Sequence, residues 1–337
     1  MPKIATTAAS AAFASSLKSS AGVLALTVLP STFVWSAEPA PYPTRAIRMV
    51  APFAPGGATD FVGRLIAGKL AERLGQQVVV DNRAGASGNI GMEITVRAAP
   101  DGYTLMTVSN SFATNAALNP RLTFDPIKDL RAIALVGVSP LVLVVHPAVK
   151  ANNIPELVAL AKQRPGQLKF GSSGNGASPH LAGELFKASA GVDLLHIPYK
   201  GSGPALIDTL SGQVDMTWIS MLVVRAHIQA GRLRLLAVTT PARVKALPDT
   251  PAIAETLAGY EATSWYGVMG PAALPQRLVS RLNTEVNAIV TSAEISDRLS
   301  SDGVEPRAVS PEVAAKHVAT EIARWRAVAQ KAGVKLN

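Results

Sequence analysis

The chain has 337 residues, 48% of them apolar and 16% charged, with 26 glycines, 24 prolines and no cysteine. That length and apolar content can fill two cores and suit an α/β protein with many short connections; they exclude a coiled coil or a disordered chain, and the lack of cysteine excludes disulfides, thiolate zinc sites and Cys nucleophiles. The formal charge is +9, about +7 once Lys3 and Lys18 are assigned to a leader. The basic residues are scattered singly without interleaved aromatics, so the surface reads as solvated and no nucleic-acid partner is expected. Such a charge can still steer anionic solutes toward a cleft.

Residues 1–37 read as a secretory leader. Lys3 and Lys18 precede an apolar stretch over 21–35 that Pro30 interrupts, and the small residues Ser36 and Ala37 follow. The stretch is too short to span a bilayer. Cleavage after Ser36 places Val34 three residues back, a better fit than the Trp35 that cleavage after Ala37 would place there. The expected location is the periplasm, with the leader removed.

Strand and helix then alternate. Residues 46–51, 77–81 and 103–109 read as strands and 58–74 and 88–98 as helices, an order that implies a parallel sheet covered on both faces. A second round has strands at 141–146, 168–172, 194–198 and 214–220 and helices at 154–163, 179–190, 204–211 and 222–230. Apolar runs at 133–146 and 233–240 bracket this block and are placed to carry the chain between two domains. A strand at 265–269 and helices near 275–291, 294–300 and 310–332 complete the chain. The expected organisation is a first domain formed by 38–138 and 240–337, interrupted by a second at 139–239. Ligands of open α/β sheets bind at the carboxyl ends of the strands, so two such domains enclose a cleft.

Four loops, each after a strand and before a helix, could line that cleft. The first holds Pro55, Gly56, Gly57, Ala58, Thr59 and Asp60; its glycines let backbone approach a ligand, and the N–H groups of the helix start favour an anion. The second runs over 82–89 and offers Ser87 and Asn89. The third spans 171–180, with Ser172, Gly174, Asn175, Gly176 and, at its end, His180. The fourth, over 199–204, holds Lys200, Gly201 and Ser202. Ser109 and Ser220, each ending a strand, complete the candidate ligand contacts. A single such loop is only a turn with a capped helix; four at strand-to-helix junctions describe a lined cleft rich in backbone donors.

Catalysis is weakly supported. Gly-Asn-Gly-Ala-Ser is not the Gly-x-Ser-x-Gly of a nucleophile elbow, and no Gly-Lys-Ser/Thr follows the first glycine loop. His180 and His196 stand where structural hydrogen-bonders are more usual than bases, Asp215 reads as structural, and no spacing suits a metal. No cofactor or metal is expected. The alternative is a hydrolase using a Ser of the third loop; a weaker one is an interaction domain whose glycine loops are only turns.

Several motifs in order carry a resemblance. Tyr-Pro-x-Arg-x-Ile (42–47), Pro-Phe-Ala-Pro-Gly-Gly-Ala-Thr-Asp (52–60), Asn-Arg-x-Gly-Ala-x-Gly-Asn-Ile-Gly (82–91), Ala-x-Pro-Asp-Gly-Tyr-Thr-Leu (98–105), His-Leu-x-Gly-Glu-Leu-Phe (180–186), Ile-Pro-Tyr-Lys-Gly-Ser-Gly-Pro-Ala (197–205) and Gly-Gln-Val-Asp (212–215) follow one another. Over nearly its full length after the leader, the chain resembles the Bug family, the substrate-binding proteins of tripartite tricarboxylate transporters. The resemblance implies a type II periplasmic-binding-protein fold, two doubly wound domains around a cleft joined by two crossing segments. It also implies a small carboxylate ligand (dicarboxylate, tricarboxylate, acidic amino acid or aromatic acid) gripped by backbone amides and ordered water, with membrane subunits of such a transporter as partners. Carried over, the contacts are the loops at 55–59, 87–89, 172–176 and 200–203. Trp218-Ile219-Ser220 departs from the small polar residues that members often carry there. Trp218 and Trp265, at strand ends, are expected near the cleft.

Overall fold

The computed structural model describes residues 41–332, so the leader expected at 1–37 lies outside the described residues. The chain runs β1 (Ile47–Ala51), α1 (Ala58–Leu74), β2 (Val78–Asn82), α2 (Asn89–Val96), β3 (Thr104–Ser109), α3 (Asn110–Leu118) and β4 (Leu130–Val145). It continues through α4 (Ile154–Gln163), β5 (Lys169–Ser172), α5 (Ser178–Ala190), β6 (Leu195–Pro198), α6 (Ser202–Leu210), β7 (Met216–Ser220), α7 (Met221–Gln229) and β8 (Arg234–Val238). It ends with β9 (Thr263–Pro271), α8 (Gln276–Val290), α9 (Ala293–Ser301), β10 (Glu305–Pro306) and α10 (Pro311–Ala332).

The strand order is β2-β1-β3-β9-β4-β7-β5-β6, with β8 and β10 also pairing β4. The sheet is mixed, not parallel as the strand-helix alternation suggested. β1 pairs β2 and β3, and β5 pairs β6 and β7, in parallel. β9 lies antiparallel between β3 and β4, and β4 is antiparallel to β7 and β8. The difference arises because β9 returns from a distant part of the chain and β4 runs the whole way across.

β4 is 16 residues long and changes partners midway: Pro140 is the last residue opposite β9, and Leu141 the first opposite β7. Proline has no N–H to give to a ladder, which suits the switch point. Beyond it, Leu141, Leu143 and Val145 point into one core while Val142 and Val144 point into another, the period of two expected of a strand buried on both faces. Thr239, fully buried just after β8, ties the switch together. Its hydroxyl lies 2.9 Å from the Leu141 carbonyl and 2.8 Å from that of Ala262, with one proton to give to either, and accepts the Leu141 N–H at 2.9 Å.

Helices cover both faces. α1, α8 and α9 bury Val62, Ile66, Leu70, Leu282, Val286 and Leu299 against β1, β3 and the first part of β4. The opposite face carries α3 and α10, with Phe112 and Trp325 in the core that also holds Phe170, Phe186 and Trp218. α1 and α4 fall where the apolar periodicity put them, but α3 is not legible in advance. Asn-Ser-Phe-Ala-Thr-Asn is poor helix sequence, and packing against α10 decides it. Asn110, at the start of α3, fixes that packing: its side-chain oxygen accepts both indole N–H groups, from Trp265 at 3.1 Å and Trp325 at 3.0 Å, while its amide donates to the Thr263 carbonyl at 2.9 Å. Trp218 and Trp265 are therefore core residues, 0% and 2% exposed, and stand beside Ile219, Ser264 and Tyr266, which border the cleft.

Candidate functional site

The starts of α1, α3, α5, α6 and α7 converge on one cavity. Ala58 and Thr59 come from α1, Ser109 and Ser111 from the start of α3, and Ser178 and Pro179 from α5; Ser202 opens α6, and Ser220 precedes α7. None of these helices has a side-chain cap from its own N-cap residue. Each first turn carries backbone N–H groups without an intrahelical partner and a partial positive charge, so together they favour an anion. One is already taken: the Ser178 N–H donates to Ser111 Oγ at 3.2 Å.

The rest of the wall is made of hydroxyls and apolar groups. Ser173, Ser264 and Tyr266 join the serines above, and Phe53, Leu141 and Ile219 supply the apolar part. Among the described residues, no Lys, Arg, His, Asp or Glu lines it. Ser220 Oγ is buried without a hydrogen-bond partner among the described residues. The cavity has a volume of about 30 Å³, room for a group of a few atoms.

Of the sequence-derived contacts, Ala58, Thr59, Ser109, Ser202 and Ser220 reach this cavity. Ser87, Asn89 and Asn175 instead line a separate crevice. Asp60 does not line the cavity: its buried carboxylate accepts the Gly56 N–H at 3.1 Å, Arg64 Nε at 3.1 Å and Asn82 Nδ2 at 2.9 Å. Burial alone would raise its pKa, but the Arg64, Asn82 and Gly56 donors outweigh that and hold it below the ordinary aspartate value. Asp60 shapes the first loop and is spent there.

Ser172 and His180 do not line the cavity either. Ser172 Oγ lies 2.6 Å from His196 Nε2, and His180 Nδ1 accepts the Gly176 N–H at 3.0 Å; the two imidazoles stack 4.0 Å apart. Burial pulls His180 down to about 4, helped by Lys187, and His196 to about 3, helped by His180 and Lys187. Both rings are neutral near pH 7 and serve as fixed supports for the third loop. A Ser–His contact thus exists, but Ser172 is 1% exposed, does not line the cavity, and faces a base too weak for hydrolysis at that pH. The Lys200 side chain is exposed and off the cavity, and its carbonyl accepts the Ala54 N–H at 3.0 Å.

The glycines of the first and fourth loops serve a different approach from the one expected. A Cβ on Gly57 would stand 2.7 Å from Ser202 Oγ, one on Gly201 2.9 Å from the Ala54 nitrogen, and one on Gly203 would run into the Pro55 carbonyl. Pro55 and Gly56 are themselves exposed. These glycines let two loops meet across the cavity mouth, and Gly174 does the same for Ser87, whose Oγ would be 2.8 Å from an added Cβ. Ser173 and Ser178 lie in the third loop that the sequence marked, whereas sequence reasoning missed Ser111, Ser264 and Tyr266. A serine beside each helix start was a usable signal for Ser111 and Ser178; nothing local marks Ser264 or Tyr266, which arrive on β9.

Two outcomes follow. Gly57→Val should fold normally, since φ is −91° there, yet overpack the loop contact by about 1–3 kcal/mol, lowering ligand affinity roughly 10- to 100-fold by calorimetry. Asp60→Asn should lower the urea midpoint at pH 7 by the equivalent of about 1–3 kcal/mol. Because the folded pKa of Asp60 lies below its unfolded value, this contribution is present above about pH 4–5 and drains as pH falls through the folded pKa. The gap between wild type and variant should therefore close in acid; a gap that persists unchanged there contradicts the assignment.

A family model described as tripartite tricarboxylate transporter family receptor matches residues 62–334. The chain is 39% identical to Protein BugT of Bordetella pertussis over 300 residues, 88% of this chain and 91% of that protein. A solved R. palustris protein with adipate is 38% identical, with a TM-score of 0.85 over 87% of this chain and 99% of that one. MatC from Rhodopseudomonas palustris with bound malate is 29% identical, with a TM-score of 0.81 over 85% and 99%. The fold is the binding-protein fold that the resemblance implied, and the family is one of receptors, which removes the ground for a hydrolase. The chain belongs to the tripartite tricarboxylate transporter receptor family.

Proposed function

We propose that the chain is a periplasmic receptor that holds one small organic carboxylate, unchanged, where the five helix starts converge, and presents it to membrane subunits of a tripartite transporter. The observation that carries this is the cavity wall itself, with backbone donors and hydroxyls from α1, α3, α5, α6 and α7 and no charged side chain. Such a wall suits a single ionised carboxylate, whose oxygens can each accept more than one N–H or O–H. The relatives that hold adipate and malate support the ligand class. Family membership and the leader read at 1–37 support the location.

The reading includes two domains, 38–138 with 240–337 and the inserted 139–239, hinged near the point where β4 changes partners and where Thr239 follows β8. The cavity walls come from both sides of that hinge. A ligand that touches both sides only when they are together shifts the population toward the closed form.

Two measurements test this. The tightest ligand from a calorimetric screen of aliphatic dicarboxylates, tricarboxylates, acidic amino acids and aromatic acids should bind at least about 10-fold better than its amide, since a charge-assisted hydrogen bond contributes roughly 1.5–3 kcal/mol. Equal affinity for acid and amide contradicts the carboxylate reading. Small-angle scattering with that acid at saturation should give a smaller radius of gyration than the free protein; identical radii argue for a rigid pocket.

A further inference from the structure

A crevice of about 530 Å³ opens on the far side of the crossing strands from the helix-start cavity. Pro140 and Thr263, paired across β4 and β9, line it, while their chain neighbours Leu141 and Ser264 line the cavity. Successive residues of a strand point to opposite faces, so the two spaces lie back to back with the crossing strands between them. One wall of the crevice is the segment 244–246. Although it follows the second crossing, Val244 packs with Val142, Val144 and Val238 on the core of the inserted part. The other wall is formed by Ser300 and residues 303–305, and Val304 packs with Ile133, Val136 and Leu299 in the outer core. The two walls therefore move with different sides of the hinge.

The front is shut in this structure. The Ala54 N–H donates to the Lys200 carbonyl at 3.0 Å and the Ser178 N–H to Ser111 Oγ at 3.2 Å, each bond joining the outer part to the inserted one. Rotation about strands that lie between two clefts narrows one as it widens the other. A shut cavity thus goes with a gaping crevice, and opening the cavity brings the walls of the crevice together. Among the described residues, Lys245 and Glu305 are the two ionisable groups that line the crevice, one on each wall. They do not pair in the shut form: Lys245 has no ion pair among the described residues, and Glu305 holds Arg307 of its own side at 3.0 Å. Neighbouring charges are already matched, Arg243 with Glu255 and Arg225 with Asp302. The Glu305 carboxylate can accept from an ammonium as well as from Arg307.

We propose that Lys245 and Glu305 are a latch of the open receptor, an ion pair made only when the crevice narrows, which opposes closure over the ligand; this rests on the hinged reading above. A ligand that closes the cavity has to part the pair, so whatever the pair contributes to the open form is lost from the apparent affinity. An exposed pair contributes little and is screened by salt, so the latch tunes affinity without holding the receptor open. It does so from behind the hinge, without touching the ligand.

Calorimetry with adipate and with malate on the wild type, Lys245→Glu, Glu305→Lys and the double swap tests the latch. Each single swap turns attraction into repulsion in the open form and should tighten binding about 2- to 5-fold, and the double swap should return it to wild type. The single swaps change net charge in opposite directions, so long-range steering of an anion would move them apart. Single swaps that leave affinity unchanged or shift it in opposite directions overturn the latch, as does a double swap that keeps the gain. A gain that persists at about 1 M salt, where charges are screened beyond about 3 Å, overturns it too. Because the chain has no cysteine, Lys245→Cys combined with Glu305→Cys gives a reading without ligand. Diamide should oxidise the two thiols to a disulfide in the free protein, more slowly with adipate or malate bound, and the cross-linked protein should regain acid binding only on reduction. Absence of a cross-link overturns the latch, whereas a radius of gyration that still falls with ligand upholds the hinge by itself. If neither acid binds the wild type, cross-linking alone decides the latch, and the acid–amide comparison judges the carboxylate reading separately.

Discussion

The change of partners along β4 is the constraint on which the rest of the molecule depends. One continuous strand serves two parts of the sheet, so the helices that start at the carboxyl ends of strands on either side are brought to face one another. Pro140 breaks the ladder without leaving an N–H unsatisfied, and Thr239 binds the two crossing segments through the carbonyls of Leu141 and Ala262. A bulkier or less connected crossing would leave five helix starts that no longer share a cavity.

Around that cavity, polar residues are arranged in layers. The inner wall is hydroxyl, backbone and apolar, and the ionisable groups stand one layer back, where each is already engaged. Asp60 holds the first loop through Gly56, Arg64 and Asn82. His180 and His196 support the third loop as neutral rings, and Asn110 pins α3 to Trp265 and Trp325. Buried groups with all their hydrogen bonds in place rigidify a wall, and a rigid wall keeps the N–H groups aimed at one point.

This layering also explains what could be read from the amino-acid sequence and what could not. The bounds of α1 and α4 and the strand-to-helix loops were legible because periodicity and glycine spacing are local signals. Ala58, Thr59, Ser109, Ser202 and Ser220 were found because a small polar residue at the junction of strand and helix is itself local. Asp60, Ser172 and His180 sit in the same loops and have the same chemistry, but whether such a side chain faces inward or is captured by a neighbour depends on partners such as Arg64 and His196. Ser264 and Tyr266 reach the wall only because β9 inserts antiparallel next to β3, a pairing that joins residues more than a hundred positions apart. The function was readable because several glycine loops in order resemble a family, and the wall chemistry agrees with it.

The absence of a cation from the cavity wall bears on how cargo is let go. An arginine at the bottom of such a cavity would be left desolvated and unpaired whenever a carboxylate departed, a penalty of several kcal/mol that would slow each departure. Amides and hydroxyls carry no such debt, because water replaces a carboxylate oxygen at each of them nearly one for one. Departure of a carboxylate from such a wall therefore exchanges one set of acceptors for another and leaves no buried charge behind.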